Sequence, residues 1–386
     1  MKLPIKLVKD TISNTEIDDL ALWLKTYPQL TKGPKTIEFE ELWSKWLGVK
    51  YSVFLNSGSS ANLAMLYALK ISNKLKNNKV IVPCVSWVTT VSPVIQFGLE
   101  PILCETDKDT LGIDVQYFEK LCQEHNPSCV ILVHVLGFSN KLKEILDICK
   151  KYDVILLEDS CESVGTIYDG KKTGTFGLMS SFSTYFGHHY STIEGGFVCT
   201  DDFELYEILK SIRSHGWSRD LSKETQKKFQ EDHNIDEFRN LYTFYYPGFN
   251  LRATDLQAFL GINQLKTLDE KNYRRYENFL LYDKLIKNPY WKIKVDAFVS
   301  NFSYPIIHPN KNKIVNRLID AKVECRPLIC GSMSRQPFYY KVYGHKSYEF
   351  SDIIHDYGMY IPNNPDMSFE EINYIADVIN QGINDE

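Results

Sequence analysis

Residues 181–196 read SFSTYFGHHYSTIEGG, and the interpretation of the whole chain turns on this stretch. A hydroxyl-rich segment runs into two adjacent histidines, then into Glu194-Gly195-Gly196 and the strand-like Phe197 to Thr200. Paired glycines allow backbone to approach a neighbour closely, and nearby Ser and Thr hydroxyls suit an anion. Read this way, the stretch is a floor under a phosphorylated ligand.

Moving upstream, the apolar run YSVFL enters Asn56-Ser57-Gly58-Ser59-Ser60-Ala61 and then the helical pattern NLAMLYALKIS. A strand that turns into a helix through Gly and Ser leaves unpaired N–H groups that can bind phosphate, although an ordinary small-residue helix start looks the same. The segment KVIVPCVSWVTTVSPVIQFG predicts a strand at Val80–Val82, a loop, and a helix containing Trp87. SCVILVHVLG is apolar throughout its centre, as befits a strand covered on both faces. A helix over 142–152 leads to VILLEDS, with Asp159 at the strand's carboxyl end. Strands alternating with helices predict a mostly parallel α/β sheet with ligands at those ends. Glu158, Asp159 and Glu162 are three carboxylates within five residues, a pattern that also suits a helix N-terminus. No G-x-G-x-x-G follows a predicted strand, which argues against a nicotinamide enzyme.

Helices are expected at Asn14 to Thr26 and Thr36 to Leu47, and again from Phe203 to Ser214, breaking at His215-Gly216-Trp217. Residues 221–246 are charged and then aromatic without a clear period, which suggests a lid or a subunit contact. Thr254 to Gln257 forms a capping box ahead of one long helical pattern through Phe279, which would bridge two domains. KIKVDAFVS (292–300) and VNRLID (315–320), turning into VECRPL, look strand-like, and FEEINYIADVINQG is a terminal helix. The expected division is a large domain over 1–252 and a smaller C-terminal α+β domain over 253–386.

Composition narrows the function classes. With 386 residues and a formal net charge of −5, the chain has room for a large core but no electrostatic footprint for nucleic acid. Its nine cysteines include no C-x-x-C pair, a pattern of reduced thiols with no metal knuckle or disulfide frame. MKLPIKLVKD lacks a signal-peptide core, and no apolar run nears the ~20 residues that span a bilayer. A soluble cytoplasmic protein is expected.

The stretch 181–196 resembles the lysine segment of the DegT/DnrJ/EryC1/StrS sugar aminotransferases, in which a pyridoxal-phosphate lysine is followed by five residues and E-G-G. Here His188 stands at the lysine position. Collinear matches from about Gly33 to Pro327 carry the resemblance. It implies the aspartate-aminotransferase (type I PLP) fold, an α/β architecture, and a homodimer with shared active sites. It further implies that Gly58, Ser59 and Ser183 hold the cofactor phosphate and that Trp87 stacks on the pyridine ring. Asp159 would pair with the ring nitrogen, and Glu162 would lie near the ring hydroxyl. Asn250 would reach the phosphate from the other subunit, while His215, Trp217 and Arg219 would line the sugar site. Arg326 is a candidate for the glutamate carboxylate, with a surface salt bridge as the equal alternative.

Independently of the family, imidazole can shuttle a proton but cannot form a stable imine. A histidine in the lysine slot therefore leaves pyridoxamine 5'-phosphate or pyridoxal 5'-phosphate without a covalent anchor. With a 4-keto sugar bound, proton removal would expel the C3 hydroxyl, so that dehydration replaces amination. One histidine-bearing branch of the family adds a [2Fe–2S] cluster. SHGWSRDLSKETQKKF contains no cysteine for it, and about four thiolates are needed. The other branch acts on a GDP-4-keto-6-deoxy sugar and regenerates its amine with L-glutamate. HGWSRDL and YTFYYPGFNLRATDLQA resemble that branch, so no metal is expected. The alternatives are an ordinary nucleotide-sugar 4-aminotransferase and a catalytically silent nucleotide-sugar-binding relative.

Overall fold

The computed structural model describes residues 4–295 and 297–384. Helices α1 (Asn14–Leu24) and α2 (Pro34–Leu47) precede β1 (Tyr51–Leu55). The chain then alternates through α3 (Gly58–Ile71), β2 (Lys79–Pro83), α4 (Val88–Gln96), β3 (Glu100–Cys104), α5 (Val115–His125), β4 (Cys129–Val133), α6 (Leu142–Tyr152) and β5 (Ile155–Asp159). A small ribbon, β6 (Ile167–Tyr168) and β7 (Lys171–Lys172), separates β5 from β8 (Met179–Ser183) and β9 (Gly196–Thr200).

Seven strands form one sheet in the order β1-β9-β8-β5-β4-β2-β3. The run from β8 to β3 is parallel, whereas β9 is antiparallel to both β1 and β8. Alternation within the strands shows why they read as continuous apolar runs. Val80 and Val82 join the cluster on one face while Ile81 joins the other, and Cys129 and Ile131 likewise oppose Val130 and Leu132. Helices cover both faces, as a parallel sheet requires. The stretch 181–196 thus forms the end of β8, the start of β9 and the loop between them, beside the carboxyl end of β5.

The second half contains α7 (Phe203–Arg213), α8 (Lys223–His233), α9 (Glu237–Asn240), α10 (Asp255–Leu265) and α11 (Leu268–Leu285). These are followed by β10 (Tyr304–Ile307), α12 (Lys311–Asp320), β11 (Arg326–Pro327), α13 (Pro337–Tyr343), α14 (Glu349–Tyr357), β12 (Gly358–Ile361) and α15 (Phe369–Ile383). A small antiparallel sheet, β10-β12-β11, carries a core of its own that includes Phe279, Ile314, Leu318 and Ile375. Val135, Leu136 and Phe138 also pack into that core.

Two buried polar knots lock the elements together. The Asp255 carboxylate accepts the N–H groups of Gly33 at 2.7 Å, Lys35 at 3.0 Å and Thr36 at 2.9 Å, so α10 caps α2. Glu40 pairs with Arg213 and also accepts the Phe54 N–H at 2.7 Å, fastening α2 and α7 to β1.

Several expectations are corrected. VNRLID belongs to α12, because Ile314 and Leu318, four residues apart, are both buried on one helix face. KIKVDAFVS forms no strand among the described residues, and its Asp296 lies outside them. Of VECRPL only Arg326–Pro327 forms a strand, while Val323 makes an isolated parallel bridge to Ile5. The long helix is two, broken at Lys266–Thr267, and Trp87 is the N-cap of α4 and not part of its body. Residues 221–246 hold α8 and α9, capped by Ser222 and Asp236 and burying no side chain. No helix among the described residues is long and apolar enough to cross a membrane.

Candidate active site

A cavity of about 420 Å³ opens where α3 begins and β5 and β8 end. Its floor is built by close backbone approach. Ser57 caps α3 by accepting the Ser60 N–H at 3.0 Å. The Gly58 and Ser59 N–H groups, among the first of the helix, find no acceptor among the described residues. A Cβ on Gly58 would lie 2.6 Å from the Ser183 Cβ, and one on Gly196 would lie 2.5 Å from the Ser57 carbonyl oxygen. Glycine at both places lets the loop between β8 and β9 sit against the helix start. Ser57, Gly58, Ser59 and Ser183 all line the cavity, and open N–H groups at a helix start suit an anion.

The three clustered carboxylates separate by role. Glu158 is fully buried and points away, accepting His134 Nε2 at 3.0 Å and the N–H groups of Gly174, Phe176 and Gly177. Burial pushes its pKa up, but His134 and those amides outweigh it and hold the carboxyl below its usual range. Asp159 lines the cavity, its Oδ2 taking bonds from Asn62 at 2.7 Å and Thr90 at 2.8 Å. Glu162 lines it too and accepts the Leu136 N–H at 2.8 Å. Burial, reinforced by Asp159 and only partly offset by that bond, pushes the Glu162 pKa up to about 7.

His188 reaches the cavity with a defined tautomer. Its Nδ1 lies 2.8 Å from the Cys161 carbonyl oxygen. A carbonyl only accepts, so Nδ1 carries the proton and Nε2 presents its lone pair. Burial pulls the ring's pKa down to about 4; Cys161 and Asp159 oppose that shift and Arg275 adds to it. His188 is therefore a neutral base at physiological pH. His189 turns the other way, fully buried with Nε2 donating to the Ser300 carbonyl at 2.9 Å. It does not line the cavity.

On the walls, Trp87 is 54 % exposed and offers an open indole face. Arg326 and Tyr360 are paired residues of β11 and β12, and both line the cavity. Among the described residues Arg326 bonds only the Cys325 carbonyl, at 3.0 Å, so its charge remains available to an anion. Among the described residues lining the cavity there is no lysine.

The fold does not bring the other four expected residues to this cavity. His215, Trp217 and Arg219 form a separate cluster, with Arg219 4.2 Å over the Trp217 ring and Trp217 stacked on Phe244. Asn250 is exposed and accepts Arg252 Nε at 3.0 Å. Sequence reading missed Asn62, Thr90, Tyr185, Phe302 and Tyr360. Asn62 had a signal, since it stands one helical turn after Gly58 on α3. Phe302 and Tyr360 sit in no motif and arrive through the small unit's packing.

The chain matches the DegT/DnrJ/EryC1/StrS aminotransferase family over residues 11–380. It is 34 % identical over 362 residues to the GDP-4-keto-6-deoxy-D-mannose 3-dehydratase of Escherichia coli O55:H7, covering 90 % of this chain and 92 % of that protein. To the enzyme of the same name from Yersinia pseudotuberculosis it is 35 % identical over 364 residues, covering 90 % and 91 %. A crystal structure of a mutant GDP-4-keto-6-deoxymannose-3-dehydratase (ColD) with bound GDP-perosamine superposes with a TM-score of 0.90 at 32 % identity, covering 97 % of this chain and 100 % of that one. The α/β architecture is that of the aminotransferase fold, and the chain belongs to the DegT/DnrJ/EryC1/StrS aminotransferase family.

Proposed function

We propose that the chain is a C3-dehydratase of a GDP-4-keto-6-deoxy sugar, mannose or a heptose homologue, that uses pyridoxamine 5'-phosphate and releases the 4-keto-3,6-dideoxy sugar. L-Glutamate restores the cofactor's amine. The carrying observation is His188, a neutral imidazole whose free Nε2 faces a lysine-free cavity at the family's lysine position.

The residues present fit the cofactor. Open N–H groups at Gly58 and Ser59, with the Ser183 hydroxyl, suit its phosphate. Asp159, steadied by Asn62 and Thr90, suits a protonated ring nitrogen, and the Trp87 face suits the ring. When bound, the cofactor would supply an amine for the 4-keto carbon and a ring that holds the electrons freed by proton removal until they expel the C3 hydroxyl. His188 Nε2 accepts the proton whose removal starts that electron flow. Asp159 keeps the ring nitrogen protonated, and Glu162 sits where its proton can be exchanged near neutrality. Arg326 holds the glutamate carboxylate, with the paired Tyr360 beside it.

The protein works in the cytoplasm as a homodimer, and His215, Trp217, Arg219 and Asn250 complete the partner's cavity. We retain the division into units 1–252 and 253–386, because the small sheet β10-β12-β11 forms apart from the seven-stranded one.

The test is turnover of GDP-4-keto-6-deoxymannose with pyridoxamine phosphate and glutamate, followed by mass spectrometry of the sugar, with His188→Lys in parallel. A product that lacks the C3 oxygen and keeps the ketone, formed only by the unaltered protein, is expected. A 4-amino sugar with every other oxygen retained would make the protein an aminotransferase.

A further inference from the structure

Arg275 is a buried charge with no role so far. It lies on α11, 4 % exposed, directly after Arg274, which faces outward and pairs with Glu277 at 2.9 Å. Arg275 has no carboxylate within ion-pair distance among the described residues. Its guanidinium donates to three carbonyl oxygens instead, those of Phe302 at 3.0 Å, Asn363, and His188 at 3.3 Å. Its Nε is buried without an acceptor. Burial pulls its own pKa down to about 10, which still leaves it charged at physiological pH. Asp366 attracts the charge without contacting it; burying a charge that no carboxylate contacts is unfavourable, and a neutral amide would serve to bridge carbonyls. The retained charge therefore calls for a function of its own.

The segments that Arg275 ties together surround the base. One is the His188 loop itself. Another carries Phe302, whose ring lies 5.2 Å from the His188 ring. The third follows β12. We propose that Arg275 is a positioning residue for His188: its guanidinium, bonded to the carbonyls of His188, Phe302 and Asn363, fixes the loop that carries the base and sets a positive charge against it. The proposal rests on His188 being the base.

Other titratable and charged groups line the same cavity. Asp159, Glu162 and Glu194 are the acids there, and Arg326 is the other arginine. Cys161, Tyr185 and Tyr360 are the remaining titratable neighbours, with His189 next in the chain. Of the acids, Asp159 favours the imidazolium, and Arg275 opposes it.

The test is an NMR titration of the imidazoles in the full-length protein without added cofactor, the His188 signal being assigned by its loss in His188→Asn. In Arg275→Gln the His188 midpoint should rise by at least a few tenths of a pH unit. In Arg275→Lys, which keeps the charge but loses the fork, it should stay near that of the unaltered protein even where turnover falls. A Gln variant that is less stable or slower but titrates unchanged would reduce Arg275 to a structural clamp and overturn the proposal. Should the Gln variant fail to fold, a Lys variant whose midpoint rises by a few tenths of a unit or more would overturn it as well. A shifted midpoint in a protein that performs no dehydration would leave this inference standing while the functional reading fell.

Discussion

His188 and His189 are neighbours in the chain, yet the loop between β8 and β9 sends one ring to the cavity and the other into the core. In the proposed mechanism proton transfer rests on one imidazole, and His188→Asn should lower turnover by about 10²-fold or more. Because the ring works when neutral, kcat/KM should hold as pH falls until the ring's pKa near 4 is approached. Glu162, with its pKa pushed up to about 7, should add a second inflection there, which Glu162→Gln removes while the acid limb stays. Stability follows with opposite signs. A depressed histidine binds fewer protons folded than unfolded, so its contribution is lost as pH falls from about 6.5. A raised carboxyl binds more when folded, so its contribution is lost as pH rises from about 4.5 through 7. Melting curves of Glu162→Gln should therefore fall less between pH 5 and 7 than those of the unaltered protein. The local site residues were legible because each sits in a short motif. Arg275 was not, since NYRRYENF gives no sign that one arginine is solvated and the next buried.

At the level of elements, the α3 start and the loop between β8 and β9 make the anion floor only because glycine separates them. Gly58→Ala places a methyl 2.6 Å from the Ser183 side chain and should weaken pyridoxamine phosphate binding by about tenfold or more, a loss comparable to that of one or two hydrogen bonds. Gly48→Ala is the control. Gly48 caps α2 at φ +95° with open space around it, so that change should cost about 1 kcal/mol of stability and leave binding alone. Equilibrium fluorescence titration and denaturant unfolding separate the two. The parallel strands and their helices were legible because burial on both faces yields uninterrupted apolar runs. VNRLID misled because its Val, Leu and Ile suit a strand, while the decisive partner, Ile314, lies just outside the segment. The break between α10 and α11 was hidden because apolar spacing continues across Thr267, where the backbone leaves the helical conformation at φ −114°, ψ 5°.

For the whole molecule, one chain leaves conspicuous aromatic surface uncovered. Phe238 is 82 % exposed and Tyr242 73 % exposed, on and after a helical segment that buries nothing. Helices this short depend on tertiary packing, so α8 and α9 need a covering surface. Trp87 stands open at the cavity, while His215, Trp217, Arg219 and Asn250 lie away from it. A symmetric pair that gives each cavity the other chain's cluster resolves both facts, because an isologous interface forms each contact twice. Complementation tests that arrangement. His188→Asn removes the base from its own cavity, and Asn250→Ala removes a residue that the partner's cavity uses. Each homodimer should be inactive, but a mixed dimer should place both lesions in one cavity and leave the other whole. Random co-refolding of equal amounts makes half the dimers mixed, each with one working site, so roughly a quarter of full activity should return. If Asn250 served its own chain's cavity, each mixed dimer would carry one lesion per site, and the mixture would remain as inactive as its parents.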